Sequence, residues 1–65
     1  MRDLKRIDKF TRELNRIWIT YFLDWRFGQL MSNFLGWVSY KKEIDIFFPE
    51  EEEMLELLKE FCGEE

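Results

Sequence analysis

The strongest constraint on this chain is what it lacks for holding itself together. It has one cysteine, Cys62, and no histidine. An internal disulfide is impossible, and so is a tetrahedral zinc site built from Cys and His. A chain of 65 residues forms one domain at most and buries only about 60% of the surface that its unfolded form exposes. Small domains reinforce themselves with disulfides, metals or a partner chain. Only the partner chain remains, so a homodimer is expected.

Apolar periodicity predicts a compact all-α, three-helix fold, a single domain over residues 1–65 with an irregular or extended connector before the last helix. Residues 3–23 form the first helix. Leu4, Ile7, Thr11, Leu14, Trp18 and Tyr21 recur at spacings of three and four, with Phe10, Ile17 and Phe22 widening the stripe. Asp3 suits its N-cap. The second helix covers 25–35, with Asp24 as N-cap and Gly36 as stop. The short link between the two favours an antiparallel pair. Residues 37–48 show no helical period. Ile44, Ile46 and Phe48 alternate with Glu43, Asp45 and Phe47, which suggests an extended segment packed on one side. The third helix covers 49–62, with Pro49 at its first position, acids in its first turn and Gly63 as stop. Its buried stripe is Met54, Leu57, Leu58 and Phe61, with Leu55 and Cys62 beside it.

The stretch Asp24 to Trp37, DWRFGQLMSNFLGW, carries more than a core helix needs. Gly28, Ser32 and Gly36 make a line of small residues that lets a second helix approach, within the fold or from a second copy. Arg26, Gln29 and Asn33 make a polar line. Such groups must stay wet or find partners, and the expected role is to cap the connector, with Arg26 reaching carbonyls or Asp45.

Charge is uneven. Residues 1–16 carry six cations and three acids, 17–40 are neutral, and 41–65 carry three cations and ten acids, which together give the net −4. Arg2, Lys5, Lys9, Arg12 and Arg16 recur as a basic ridge on helix one. This ridge serves nucleic acid, or solvent, or the acids of the last helix; the balance favours the last two. Glu50–Glu53, Glu56, Glu60, Glu64 and Glu65 form an acidic patch. It contributes solubility and dipole complementarity, and could also enter a phosphate-binding groove of another protein. Twelve rings, from seven Phe, three Trp and two Tyr, are many for so small a core. Trp25, Trp37 and Tyr40 are the expected exposed anchors.

The central residues also resemble a family of small uncharacterised proteins of Gram-positive bacteria and their phages. The resemblance rests on Trp18, then Asp24, Arg26, Gly28, Gln29, Leu30 and Asn33, then Asp45 and Phe47, and the acidic run from Glu50 to Leu58. It covers residues 14–62. Leu23 departs from a common proline, and the segment GWVSYKK is longer. The resemblance implies a bacterial or phage source and a motif that serves the fold or a shared contact. It implies no activity.

Without histidine there is no Ser–His–Asp or Cys–His arrangement. FGQLMSNFLG lacks the spacing and the lysine of a phosphate loop. Cys62 lies among apolar residues and suits a filler. The sequence therefore indicates no enzyme, cofactor or metal. The start MRDLKRIDKF has no apolar run behind its charges, and the window 17–38 is too polar to cross a bilayer, so a cytoplasmic protein is expected. The expected function is protein binding. Its partner-binding residues are Trp25, Trp37, Tyr40 and Glu50, Glu51, Glu52 and Glu53. Its structural residues are Asp24, Arg26, Gly28, Gln29, Ser32 and Asn33. The concrete form is a phage-encoded inhibitor of a host defence or nucleic-acid enzyme. The alternative is a small nucleic-acid-binding regulator using helix one, and a structural accessory protein is a third class.

Overall fold

The structure, a computed structural model, describes residues 3–64. It is all-α, with α1 at Lys5–Tyr21, α2 at Phe27–Tyr40 and α3 at Glu51–Cys62, and no strand among the described residues. The third helix is the hub. It packs closely along α1 and less extensively along α2, while no Cα of α1 lies within 8 Å of one in α2. The expected antiparallel pairing of the first two helices therefore does not form. The rings of Trp18, Phe22, Trp25 and Phe27 fill the turn between them, and bulky side chains at a turn keep helix axes apart.

This arrangement decides which face of α1 is buried. Ile17 is fully buried, with Phe10, Leu14 and Phe22 packed beside it. Leu4 and Ile7 are exposed, as is Thr11. The expected stripe ran through Leu4, Ile7, Thr11, Leu14, Trp18 and Tyr21, with Phe10, Ile17 and Phe22 at its edge. The buried face is centred on that edge, roughly one residue's step further round the helix. The cause is the partner: α1 faces α3, not α2.

Helix ends follow their local hydrogen bonds. The cap position of α1 falls to Leu4, which makes no side-chain cap hydrogen bond. The expected cap, Asp3, stands one residue earlier, where its Oδ1 accepts the Lys5 N–H at 2.9 Å. Asp24 does not cap α2. It sits in a turn, and Arg26, in extended conformation, occupies the cap position. Gln29 Oε1 accepts the Arg26 N–H at 2.8 Å, half of a capping box; an arginine side chain has no acceptor to supply the other half.

Gly36 does not stop α2. The buried series Leu30, Phe34, Val38 runs straight through it at spacing four, and burying Val38 rewards four more helical residues. The segment expected as a loop from Trp37 is therefore helix as far as Tyr40. The left-handed position that ends this region is held by Glu43, with φ of 54°.

The connector is thus 41–50 and contains a turn rather than an extended run. Asp45 Oδ1 accepts the Phe47 N–H at 3.0 Å, and the Phe48 N–H donates to the Asp45 carbonyl at 3.3 Å. The turn breaks the expected alternation, so Phe48 is exposed and only Ile44 packs on the core. Pro49 lies just outside α3, with Glu50 at the cap position. At the other end Gly63 has φ of 80°, its N–H donates to the Glu60 carbonyl, and the Glu64 N–H donates to the Lys59 carbonyl. That pair of bonds is the Schellman closure a glycine permits.

The core contains Ile17, Phe34, Val38, Leu55, Leu57 and Leu58. Beside it Phe61 gathers four rings, Phe22 and Phe34 at 5.5 Å, Trp37 at 5.4 Å and Trp25 at 6.4 Å between centroids. Phe61→Ala should lower stability by about 3 kcal/mol, the low end for a core phenylalanine because the ring is only part-buried. Tyr40→Ala should change it by less than about 0.5 kcal/mol. Urea denaturation followed by circular dichroism reads both.

No helix packs against the small-residue line of Gly28, Ser32 and Gly36. A methyl group built on Gly28 or Gly36 meets no neighbouring group within 4 Å. Gly36→Ala should therefore stabilise the fold by about 0.5–1 kcal/mol through helix propensity. Gly63→Ala should destabilise it by about 1 kcal/mol, because its left-handed φ favours glycine. A loss of stability in Gly36→Ala would show that a close contact at this position had been missed.

Candidate protein-binding surface

The solvent face of α3 consists of Glu52, Glu53, Glu56 and Glu60, and all four are exposed. The opposite positions, Leu55, Leu57 and Leu58, are buried, so the helical period alone sends these carboxylates outward. They cover about 12 Å of helix, at 1.5 Å per residue. Glu51 points instead towards α1, where it accepts a charge-assisted hydrogen bond from Arg6. Glu50 stands exposed before the helix.

Two members of the basic ridge of α1, Arg12 and Arg16, are engaged within the fold. Arg12 Nε pairs with Asp8 at 3.0 Å, and Arg16 pairs with Glu13 at 2.9 Å and Glu64 at 2.7 Å. Lys59 approaches Glu13 at 3.9 Å, and Lys42 reaches Glu60 at 3.0 Å. Lys42 also sits 5.8 Å from the Trp37 ring centroid. Lys5 and Lys9 are exposed. Arg2 and Glu65 lie outside the described residues.

Of the three expected aromatic anchors, only Tyr40 is on the surface, at 85% exposure. Trp25 and Trp37 are brought together, but around Phe61 rather than in solvent. Trp25 stacks on Phe22 at 4.5 Å, and its carbonyl accepts the Trp18 indole N–H at 2.9 Å. These two tryptophans hold the turn and the core edge. Tyr21 and Phe27 are exposed as well, as are Phe47 and Phe48, the latter two at 84% and 73%. Their signal in the sequence was the aspartate two residues before Phe47, which caps its own turn.

The polar line does not cap the connector. Gln29 serves the start of its own helix. Arg26 and Asn33 are exposed, as is Ser32, and none of the three hydrogen-bonds a connector group among the described residues. The connector closes itself instead, through Asp45 and through the Ile44 N–H on the Val38 carbonyl at 3.3 Å. The Cys62 thiol donates to the Lys59 carbonyl at 3.3 Å and stays part-buried.

No cluster of three or more His, Cys, Asp or Glu among the described residues is placed to hold a metal ion, and no helix is long and apolar enough to cross a membrane. No protein-family model matches the chain, and no curated protein or solved structure shows significant similarity to it.

The Arg16 cluster gives the fold an acid limit. Hydrogen bonds from Arg16 hold the Glu13 and Glu64 carboxyls below their ordinary value of 4.5. Partial burial, then the Glu64 carboxylate, raises the Tyr21 phenol. A lowered carboxylate stabilises the fold above its unfolded value, and that stability is lost as pH falls through the folded value. Melting temperature should therefore fall as pH drops below 4.5. Arg16→Gln should be less stable at neutral pH and lose less on acidification. Parallel curves for the two proteins would show that Arg16 contributes nothing to the limit.

Proposed function

We propose that the chain is a non-enzymatic protein-binding module that pairs with itself and presents the carboxylate face of α3 to a basic surface on a second protein. Its concrete form is a phage-encoded inhibitor, acting in the bacterial cytoplasm on a host defence or nucleic-acid enzyme. The observation that carries this reading is the outward face of α3, composed of Glu52, Glu53, Glu56 and Glu60. Carboxylates along one helix side offer a basic groove what a phosphate backbone offers it, spaced negative charge, and steer the encounter from a distance. The engagement of Arg12 and Arg16 by acids of the same chain counts against the alternative regulator, which needs those cations for phosphates.

The test is capture from bacterial lysate by the tagged protein, beside Glu52→Gln/Glu53→Gln/Glu56→Gln, which keeps side-chain shape and removes charge. A nucleic-acid-binding protein should be held by the parent and lost from the variant. Affinity for the purified partner should fall at least about tenfold in the variant, and association should slow with added salt. Equal retention by both would sink the proposal. Direct DNA binding that disappears with Lys9→Glu/Arg12→Glu/Arg16→Glu would replace it with the regulator.

A further inference from the structure

The connector carries a second surface, apolar rather than acidic. Its turn is closed by the Asp45 side chain and by the Phe48 N–H on the Asp45 carbonyl, and Pro49 fixes the chain just beyond. A turn held in this way keeps Phe47 and Phe48 out in solvent, their rings edge to face at 5.2 Å. Beside the rings an open groove of about 470 Å³ runs between the connector and the start of α1. Ile7 and Phe10 line it from α1, Ile46, Pro49 and the flank of Phe47 itself from the connector, and Met54 from α3. The charged groups that line it, Arg6 and Glu51, are already bound to each other.

We infer that this patch is the interface of a two-fold dimer, in which Phe47 and Phe48 of each copy seat in the groove of the other. The inference rests on the proposal that the chain pairs with itself, and adds where. The patch contains both a projection and a recess, so a two-fold axis matches each to its complement twice over. A self-complementary patch is what an isologous contact requires. The area also fits. Two largely exposed phenylalanines leave on the order of 300 Å² of ring in water. Exposed Ile7 and Ile46 at the groove bring the apolar total to about 450–500 Å², near the upper range for one patch on a monomer. A standard interface takes about 800 Å² from each partner, some 65% of it apolar in homodimers, again about 500 Å². Each copy carries net −4, so a self-contact must avoid the carboxylate face. A groove whose Arg6 and Glu51 neutralise each other does so. The rings are preorganised by the turn, so seating them sacrifices little freedom.

Sedimentation equilibrium with a reducing agent, over a concentration series, tests this without interference from Cys62. The parent should reach about 16 kDa, twice the chain mass of 8.2 kDa. Phe47→Ser/Phe48→Ser should weaken the dimer at least about 30-fold, as expected for hot-spot rings. Ile7→Ser alters the recess instead of the projection and should weaken it as well, so the answer does not depend on one variant. Circular dichroism confirms that each variant keeps its helices. A parent that stays at the monomer mass at every concentration would overturn self-pairing itself. A dimer that forms equally well in both variants would overturn this interface and leave self-pairing standing.

Discussion

The contact of Phe61 with four other rings is the interaction on which the rest of this fold depends. α1 and α2 make no close backbone approach and touch through the Trp18 and Phe27 rings at their turn, so their positions are fixed largely through α3. Phe61 is where α3 meets both the α1–α2 turn, through Phe22 and Trp25, and α2, through Phe34 and Trp37. Aromatic pairs contribute about 0.5–1.5 kcal/mol each beyond the area they bury. The ion pairs between α1 and α3 are solvent-accessible and contribute about 0–1 kcal/mol each. The rings therefore hold the helices together, and Arg6–Glu51 and Arg16–Glu64 set how α3 lies along α1. A chain without a disulfide or a metal has replaced the staple with a cluster of π-faces.

The fold class was legible because helical periodicity is strong in all three segments and because Gly63 and the first-turn acids mark the ends of α3. The rotation of α1 was not legible. Its apolar residues cover more than one side, with Leu4 and Ile7 on one flank and Phe10 and Ile17 on another, and periodicity cannot choose between flanks without knowing the neighbour. The end of α2 was misread for a different reason. Gly36 looks like a stop, but the buried series through Val38 continues across it, and tertiary burial outweighs the roughly 1 kcal/mol that a helical glycine costs. The pairing of Glu51 with Arg6 and of Glu64 with Arg16 was not legible, whereas the outward side of Glu52, Glu53, Glu56 and Glu60 followed from the period of α3. The burial of Trp25 and Trp37 did not, because their place around Phe61 comes from three separate elements. The connector's geometry rests on one side-chain hydrogen bond from Asp45, and alternation of residue type carries no record of such a bond.

Charge is redistributed by folding in a way the sequence only suggests. The first sixteen residues are basic and the last twenty-five strongly acidic. Folding sets α1 beside α3, and Arg6 and Arg16 find carboxylates there. What remains on the surface is therefore more one-sided than the sequence balance implies. The excess is concentrated on the outer side of one helix, where a field of one sign acts over about a Debye length, some 8–10 Å at physiological salt. Such a field speeds the approach of a basic partner and repels acidic ones, including a second copy that approaches from that side.

A core this small also explains why the molecule has two surfaces of different kinds. Twelve rings cannot all fit among seven buried side chains, so part of the aromatic content must end on the outside. The helices leave Tyr21, Phe27 and Tyr40 outside, and the connector, which has no helical face to bury, leaves Phe47 and Phe48 there as an adjacent pair. Apolar area on a fixed turn contributes affinity, because its burial removes surface from water with little loss of freedom. Exposed carboxylates contribute rate and selectivity, because their Coulomb energy is screened and their desolvation is costly. Under the proposed function, the two surfaces divide this labour, with the connector holding a second copy and the acidic helix left open to a partner of opposite charge.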